Sequence, residues 1–168
     1  MITKETLLAS LEHETRIVKH LAGKIPADRL AWRPTPGQRS LLELLQYLTR
    51  AASGIGFFFV NGNRDHSEAQ KAESEQVGLH NAQQALDRQM QRMTKLLEGV
   101  SSADLANRDC VLPWGMTLKL GDALLETSIK FMTGYRMQLF LYLKQLGRAE
   151  LNTANCWAGR DPVPAAAK

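Results

Sequence analysis

The sequence has no apolar run long enough to cross a membrane. Its longest apolar stretch, Ile55 to Val60, is interrupted by Gly56 and falls well short of the roughly 18 residues that a spanning helix requires. The first residues are typical of a polar helix start rather than of a signal peptide. We therefore expect no membrane segment and a cytoplasmic location.

Cysteine is scarce, and charge of either sign is nowhere concentrated. Cys110 and Cys156 are the two cysteines among 168 residues, too few for a disulfide framework, so we expect both thiols to be reduced. The net charge is +4, and the lysines and arginines are spread along the chain. Because there is no basic block, the sequence predicts no nucleic-acid partner.

The common catalytic and metal-binding motifs are also missing. We find no Ser-His-Asp or Cys-His arrangement, glycine-rich phosphate loop or paired carboxylates, and neither Cys-x-x-Cys nor His-x-x-x-His occurs. His13 and His20 share a helix face, but seven residues separate them by about 10 Å, too far for one metal ion. The sequence alone therefore indicates neither a metal site nor a standard hydrolase.

Helical periodicity is what the chain does contain. Hydrophobic residues make up 44% of it, and four segments carry apolar stripes at steps of three, four or seven residues. The stripes run from Leu7 to Ile25, from Leu41 to about Val60, from Leu79 to Val100, and from near Leu118 to Gly147. With no convincing strand pattern, they predict an all-α four-helix bundle. Residues 1–147 form the predicted domain, 148–168 a partly disordered tail, and 64–75 a loop.

Several motifs occur in an order that resembles the DinB-like family over about Leu7 to Gly147. Ser40 and Glu43 form a capping box before an apolar run, which independently predicts a helix start. The resemblance implies a four-helix bundle in a mirror variant of the up-and-down topology. The motifs that carry it are Trp32-Arg33-Pro34-x-Pro36-Gly37, Ser40-Leu41-x-Glu43-Leu44-Leu45, Pro113-Trp114-Gly115, Arg136-x-Gln138-Leu139 and Tyr142-Leu143-x-x-Leu146-Gly147.

The resemblance also implies a metal site that this chain has lost. DinB-like proteins usually carry three metal-binding histidines on the second and fourth helices, and several are thiol-dependent transferases or isomerases. The corresponding positions here are Tyr47, Phe131 and Tyr135. Phenylalanine has no donor atom, and a tyrosine pKa near 10 disfavours zinc or nickel at neutral pH. We therefore predict neither a bound metal nor a cofactor, and interpret these positions as a former metal site.

The role of the former metal site remains open at the sequence level. Tyr47, Phe131 and Tyr135 either line a ligand pocket or fill the centre of the bundle as plain core. Glu14 lies on the inward stripe of the first helix and joins the candidate pocket. It either accepts hydrogen bonds from Tyr47 or Tyr135, pairs with Arg136, or lies in water at the bundle edge.

Three functions follow from these alternatives. The leading interpretation is a metal-free bundle that binds a small molecule or acts in regulation. The second is a transferase or isomerase, with Tyr47 or Tyr135 as general acid or base and Glu14 orienting it. The third is an interaction protein acting through a homodimer face, because Phe57, Phe58 and Phe59 crowd one helix end.

Overall fold

The computed structural model describes residues 2–62 and 65–162, with Asp65 described in its backbone alone. Within these ranges the chain forms eight α-helices, a short 3₁₀ helix (Ala27–Arg29), two π-type turns and one two-stranded antiparallel hairpin. None of these helices is long and apolar enough to cross a membrane. The helices are α1 (Lys4–Ala22), α2 (Leu41–Leu48), α3 (Ala51–Asn61), α4 (Asp65–Ser74), α5 (Ala82–Glu98), α6 (Ser102–Asn107), α7 (Leu120–Leu124) and α8 (Lys130–Gln145). The strands are β1 (Asp109–Val111) and β2 (Thr117–Lys119).

Four long helical segments form the bundle. Helix α1 packs against α5 and α8, α3 packs against α5, and α2 packs against α8. Leucine side chains from all four segments are buried between them, including Leu11, Leu44, Leu45, Leu86, Leu97 and Leu139. These positions are the apolar stripes of the sequence, and the predicted all-α four-helix bundle is confirmed.

The second bundle segment is broken, where the sequence predicts one continuous helix. Helix α2 ends at Leu48 and α3 begins at Ala51, with Arg50 at φ −137° between them. Gln89 of α5 fills the gap: its side-chain oxygen accepts from the Ala52 amide at 3.0 Å, and its nitrogen donates to the Leu48 carbonyl at 2.9 Å. Because a distant side chain replaces the missing helical bonds, the break leaves these two backbone groups satisfied.

A second irregularity faces this break. Residues 125–129 form a wide, π-type turn between α7 and α8 and pack against α3. There the Ser128 hydroxyl donates to the Ala52 carbonyl at 2.9 Å. Ala52 is thus held through both its amide and its carbonyl by buried side chains from two other bundle segments. Wide turns of this kind occur often at functional sites.

Two local predictions from the sequence are wrong. Within the polar segment predicted as a loop at 64–75, residues Asp65–Ser74 form α4, which packs on α3. The region before α7 contains the β1–β2 hairpin. Helix α4 and its neighbours partly cover the phenylalanines, since Phe59 is buried and Phe57 and Phe58 are half-buried. The homodimer through these residues therefore stays a prediction, with less exposed apolar area than the sequence suggests.

The capping box at the start of α2 matches the sequence prediction. The Ser40 hydroxyl accepts from the Glu43 amide at 3.2 Å, and the Glu43 carboxylate accepts from the Ser40 amide at 2.6 Å. Replacing Ser40 with Ala should lower the free energy of unfolding by about 1 kcal/mol, because one amide in the first turn loses its acceptor. Urea denaturation measures this, and Ser40→Asp, which preserves an N-cap acceptor, should retain most of the stability.

The segment after α8 packs against α1 in its described part. Leu151, Asn155 and Cys156 are buried, and residues 154–158 form a second wide turn on the α1 surface. Gly159 closes that turn at φ +59°, and a Cβ there would lie 3.0 Å from the Ile17 Cα. The end of the predicted disordered tail, residues 163–168, lies outside the described residues.

Candidate functional site

Tyr47, Phe131 and Tyr135 come together between α2 and α8. The Tyr47 and Tyr135 ring centroids are 4.6 Å apart and the rings meet edge to face. The Phe131 and Tyr135 centroids, one helical turn apart along α8, are separated by 6.4 Å. All three side chains are half-buried rather than sealed in the core. We call these three residues the aromatic cluster.

Two arginines that the sequence analysis did not single out lie on the aromatic cluster. The Arg39 guanidinium is 4.3 Å from the Tyr47 centroid and 5.3 Å from that of Tyr135. The Arg50 guanidinium is 4.9 Å from the Tyr47 centroid. Both distances to Tyr47 are typical of cation–π contacts. Arg50 follows Tyr47 by three residues, a helical spacing that could have indicated its proximity.

The cluster borders two clefts. One has a volume of about 210 Å³ and lies between Tyr47, Phe131, Phe58 and the residues of α3 and α4 that face them. The other, of about 330 Å³, runs past Arg39 and Tyr47 toward the start of α2 and the end of α4. Tyr47 and Arg50 line both clefts. The aromatic cluster is therefore accessible to a small molecule from two sides.

Tyr47 is held in its neutral form. Burial raises the pKa of the Tyr47 phenol, the nearby Tyr135 hydroxyl raises it further, and the positive charges of Arg39 and Arg50 oppose these effects. With the pKa above its ordinary value near 10, the phenol is protonated at neutral pH. Tyr47 can thus donate a hydrogen bond to a bound molecule, and it is a poor general base.

Glu14 pairs with Arg136 and does not orient the tyrosines. Its carboxylate accepts from Arg136 Nε at 2.5 Å, and within the described residues it makes no hydrogen bond to Tyr47 or Tyr135. The Arg136 side chain is fully buried, donates also to the Cys156 carbonyl, and lies 4.6 Å from the Trp157 ring centroid. Of the three alternatives for Glu14, the structure selects the pair with Arg136.

The two cysteines are buried thiols of low reactivity. Burial raises the pKa of Cys110 and of Cys156 above the ordinary value, and in each case a nearby arginine only partly opposes the shift. Because the thiolate is the reactive form, a raised pKa lowers reactivity at neutral pH. Neither thiol lines the clefts beside the aromatic cluster.

Metal-ligating side chains do not gather anywhere in the described part of the chain. In residues 2–62 and 65–162, no three His, Cys, Asp or Glu side chains are grouped so as to hold a metal ion. At the aromatic cluster the available donors are two phenol oxygens next to two guanidinium groups. The absence of a bound metal stays a prediction, which a metal analysis of the purified protein would test.

A larger cavity, of about 530 Å³, lies between α3, α4 and α5. Its walls include Phe57, His66, Glu73 and Arg92. Glu73 is ion-paired with both Arg88 and Arg92. The smaller clefts lie at the aromatic cluster, beside Arg39 and Arg50, and we take them as the candidate site.

Comparison with solved structures identifies the fold. A DinB-like protein from Bacillus subtilis aligns with 88% of this chain and 95% of its own, at 19% identity and a TM-score of 0.64. A proposed member of the DinB family from Exiguobacterium sibiricum aligns with 91% of this chain and 99% of its own, at 20% identity and a TM-score of 0.66. The sequence matches no family model and no curated protein. The chain therefore has the DinB-like four-helix fold that its sequence motifs predicted.

Proposed function

We propose that this protein is a metal-free member of the DinB-like family that binds a small molecule at the aromatic cluster. The observation that carries the proposal is the cluster itself. The three positions that correspond to metal ligands in the family hold half-buried aromatic rings next to two open clefts. Apolar walls with a few convergent polar groups are the usual composition of a small-molecule site.

The charges around the cluster support the metal-free part of the proposal. Phe131 has no donor atom, and the Tyr47 phenol is protonated at neutral pH. The guanidinium groups of Arg39 and Arg50, 4.3 and 4.9 Å from the Tyr47 centroid, would repel a divalent cation placed between the rings. We expect protein purified without an affinity tag to contain far less than one nickel, zinc or iron per chain. Stoichiometric metal of micromolar or tighter affinity would contradict the proposal.

A small-molecule transferase or isomerase is the second candidate. It is favoured by the position of Tyr47, whose neutral phenol lines both clefts and could supply a proton as a general acid. The raised pKa of Tyr47 argues against its acting as the base, and Glu14 is engaged by Arg136. We therefore rank this function below simple binding.

An interaction protein acting through a homodimer face is the third candidate. Its support is a group of exposed apolar side chains at the β1–β2 hairpin, Val111, Trp114 and Met116. These side chains are more exposed than the phenylalanines at positions 57–59. For each of the three functions we propose a cytoplasmic protein without a nucleic-acid or membrane partner.

Filling the smaller cleft tests small-molecule binding. In the variant Phe131→Trp, the larger indole should occupy the cleft, so fragments that bind the wild-type protein in an NMR screen should lose binding. Leu141→Trp adds the same group at an exposed position of α8 and serves as the matched control. If no fragment binds the wild type in a way that Phe131→Trp removes, the proposed site is wrong.

Restoring the histidines tests whether the three positions can converge on one metal. The triple variant Tyr47→His, Phe131→His and Tyr135→His should bind nickel or zinc and gain about 2.7 kcal/mol of stability at 100-fold excess over its dissociation constant. Chemical denaturation with and without metal measures this gain. Adding Arg50→Gln should tighten metal binding, because a nearby positive charge is removed.

The control for that experiment retains Phe131. A double variant with His at 47 and 135 alone has one ligand fewer and should bind metal much more weakly. If the folded triple variant gains no stability at saturating metal, the three positions do not form the inherited metal site.

A further inference from the structure

The geometry points to a small organic anion, a carboxylate with an apolar body, as the ligand of the candidate site. This inference rests on the proposed function, because it assigns the chemical class of the molecule bound at the aromatic cluster. Three observations carry it: an arginine without a hydrogen-bond or ion-pair partner among the described residues, an excess of positive charge along the clefts, and apolar side chains beside that charge.

The first observation is Arg50. Its Nε is buried, and its side chain makes no hydrogen bond or ion pair with any residue that the structure describes. Buried donors are nearly always paired, so this Nε calls for an acceptor beyond the described residues, which a bound anion would supply. Arg108 Nε is also unpartnered, but Arg108 donates to the Phe59 carbonyl and thus has a structural partner. Among the described residues, the Arg50 guanidinium contacts the Tyr47 ring and has no such structural partner.

The second observation is the balance of charge. In the 330 Å³ cleft, Arg33 is ion-paired with Glu43, and the exposed side chains of Lys71 and Glu75 offset one another. Arg39 and Arg50 remain, and within the described residues neither forms an ion pair. In the 210 Å³ cleft the one lining carboxylate is that of Glu68, which is exposed. Across the described lining of both clefts, four basic side chains and three carboxylates thus leave one positive charge in excess. The guanidinium groups of Arg39 and Arg50 are planar arrays of donors suited to carboxylate oxygens.

The third observation is the wall of the smaller cleft. Tyr47 contributes a phenol that stays protonated and can donate alongside Arg50. The rest of the wall combines the polar Ser67 and Glu68 with the apolar side chains of Ala51, Ile55, Phe58, Pro113 and Phe131. At about 210 Å³, the cleft is smaller than the roughly 300–1,000 Å³ of drug-sized sites. A single-ring acid, with its ring against these side chains and its carboxylate at Arg50, matches the volume and the charge.

Benzoate is the probe, and benzamide is its neutral analogue of nearly the same shape. Titration of the wild-type protein, followed by NMR chemical shifts, should give saturable benzoate binding that shifts residues of the aromatic cluster. Benzamide should bind roughly ten-fold more weakly, because it cannot form charge-assisted hydrogen bonds with Arg50. Added salt should weaken the binding of benzoate more than that of benzamide.

Charge variants of opposite sign sharpen the test. Arg50→Gln should weaken benzoate binding roughly ten-fold and leave benzamide nearly unchanged. Glu68→Gln should tighten benzoate binding by roughly two- to five-fold, because it removes an exposed like charge. Arg39→Gln, at an exposed position, provides a second loss-of-charge variant that should not affect folding. Arg88→Gln, which removes a charge outside both clefts, is the matched control and should bind as the wild type does.

The outcomes separate this inference from the proposed function. If benzoate fails to saturate, binds no more tightly than benzamide, or is insensitive to Arg50→Gln and Arg39→Gln, the assignment of an anionic ligand is overturned. The fragment screen with Phe131→Trp is independent of charge. Fragments that bind there while benzoate shows no preference over benzamide would retain the site and reject the anion, whereas failure of both would reject both.

Discussion

Replacing Glu14 with Gln is expected to lower the free energy of unfolding by about 3 kcal/mol, because it leaves a buried arginine without its counter-charge. Arg136 has a fully buried side chain, and the Glu14 carboxylate 2.5 Å from its Nε is its acidic partner. The carbonyl of Cys156 and the ring of Trp157 remain in contact with the guanidinium, but neither carries a negative charge. Urea denaturation measures the loss.

Two variants make the Glu14 result specific. Glu12→Gln changes an exposed carboxylate on the same helix and should alter stability by no more than about 0.5 kcal/mol. Replacing both Glu14 and Arg136 with Met should recover much of the loss, since apolar side chains of similar volume often substitute well for a buried ion pair. A loss below about 1 kcal/mol in Glu14→Gln would mean that water reaches the pair and screens it.

Replacing Gln89 with Leu is expected to cost about 3 kcal/mol of stability. The variant removes the two hydrogen bonds that the Gln89 side chain makes in the gap between α2 and α3. The Ala52 amide loses its acceptor, and the Leu48 carbonyl loses its donor. Each buried group left unpaired costs about 1–3 kcal/mol. Hydrogen exchange should locate the effect, since the Ala52 amide should exchange much faster relative to the amides of α1.

The matched control for this variant is Gln91→Leu, an exposed position on the same helix. It should leave both stability and Ala52 exchange close to those of the wild type. If the Ala52 amide stays protected in Gln89→Leu, the gap is closed by some other contact, and our account of the break is wrong.

The break also connects the fold to the candidate site. Tyr47 lies in the last turn of α2, and Arg50 lies in the gap itself. Gln89 and Ser128, both buried, hold Ala52 just beyond it. Tyr47 and Arg50, which line the candidate clefts, are therefore positioned by a buried polar network. Gln89→Leu should therefore weaken benzoate binding as well as lower the stability. Glu14→Gln should lower the stability alone, because Glu14 pairs with Arg136 and not with the tyrosines.

Features that depend on local spacing could be predicted from the amino-acid sequence. Apolar stripes predicted the four bundle segments, because a helix buries one face and that face recurs every three or four residues. Ser40 and Glu43 marked the start of α2, since both partners of a capping box lie within one turn. Phe131 and Tyr135 share a helix face for the same reason. In each case the interacting groups are at most a few residues apart.

Short or polar elements were missed because their apolar pattern is weak. Helix α4 has little apolar surface of its own and packs on α3, although its alanines, glutamates and lysine are good helix formers. The strands β1 and β2 are three residues each, too short for alternation to be recognised, and their pairing gives them their structure.

The partners of the buried polar groups depend on how distant segments pack together, and local spacing does not predict them. The sequence left three partners open for Glu14, and the packing of α1 against α8 selected Arg136. The sequence predicted an unbroken helix from Leu41 onward. It did not indicate the break, because Gln89, which satisfies the backbone groups there, lies 37 residues from Ala52. Arg39 and Arg50 reach the same tyrosine from a loop and from a helix break. The fold brings residues that are distant in the sequence into contact, so the local spacing of residues does not predict these contacts.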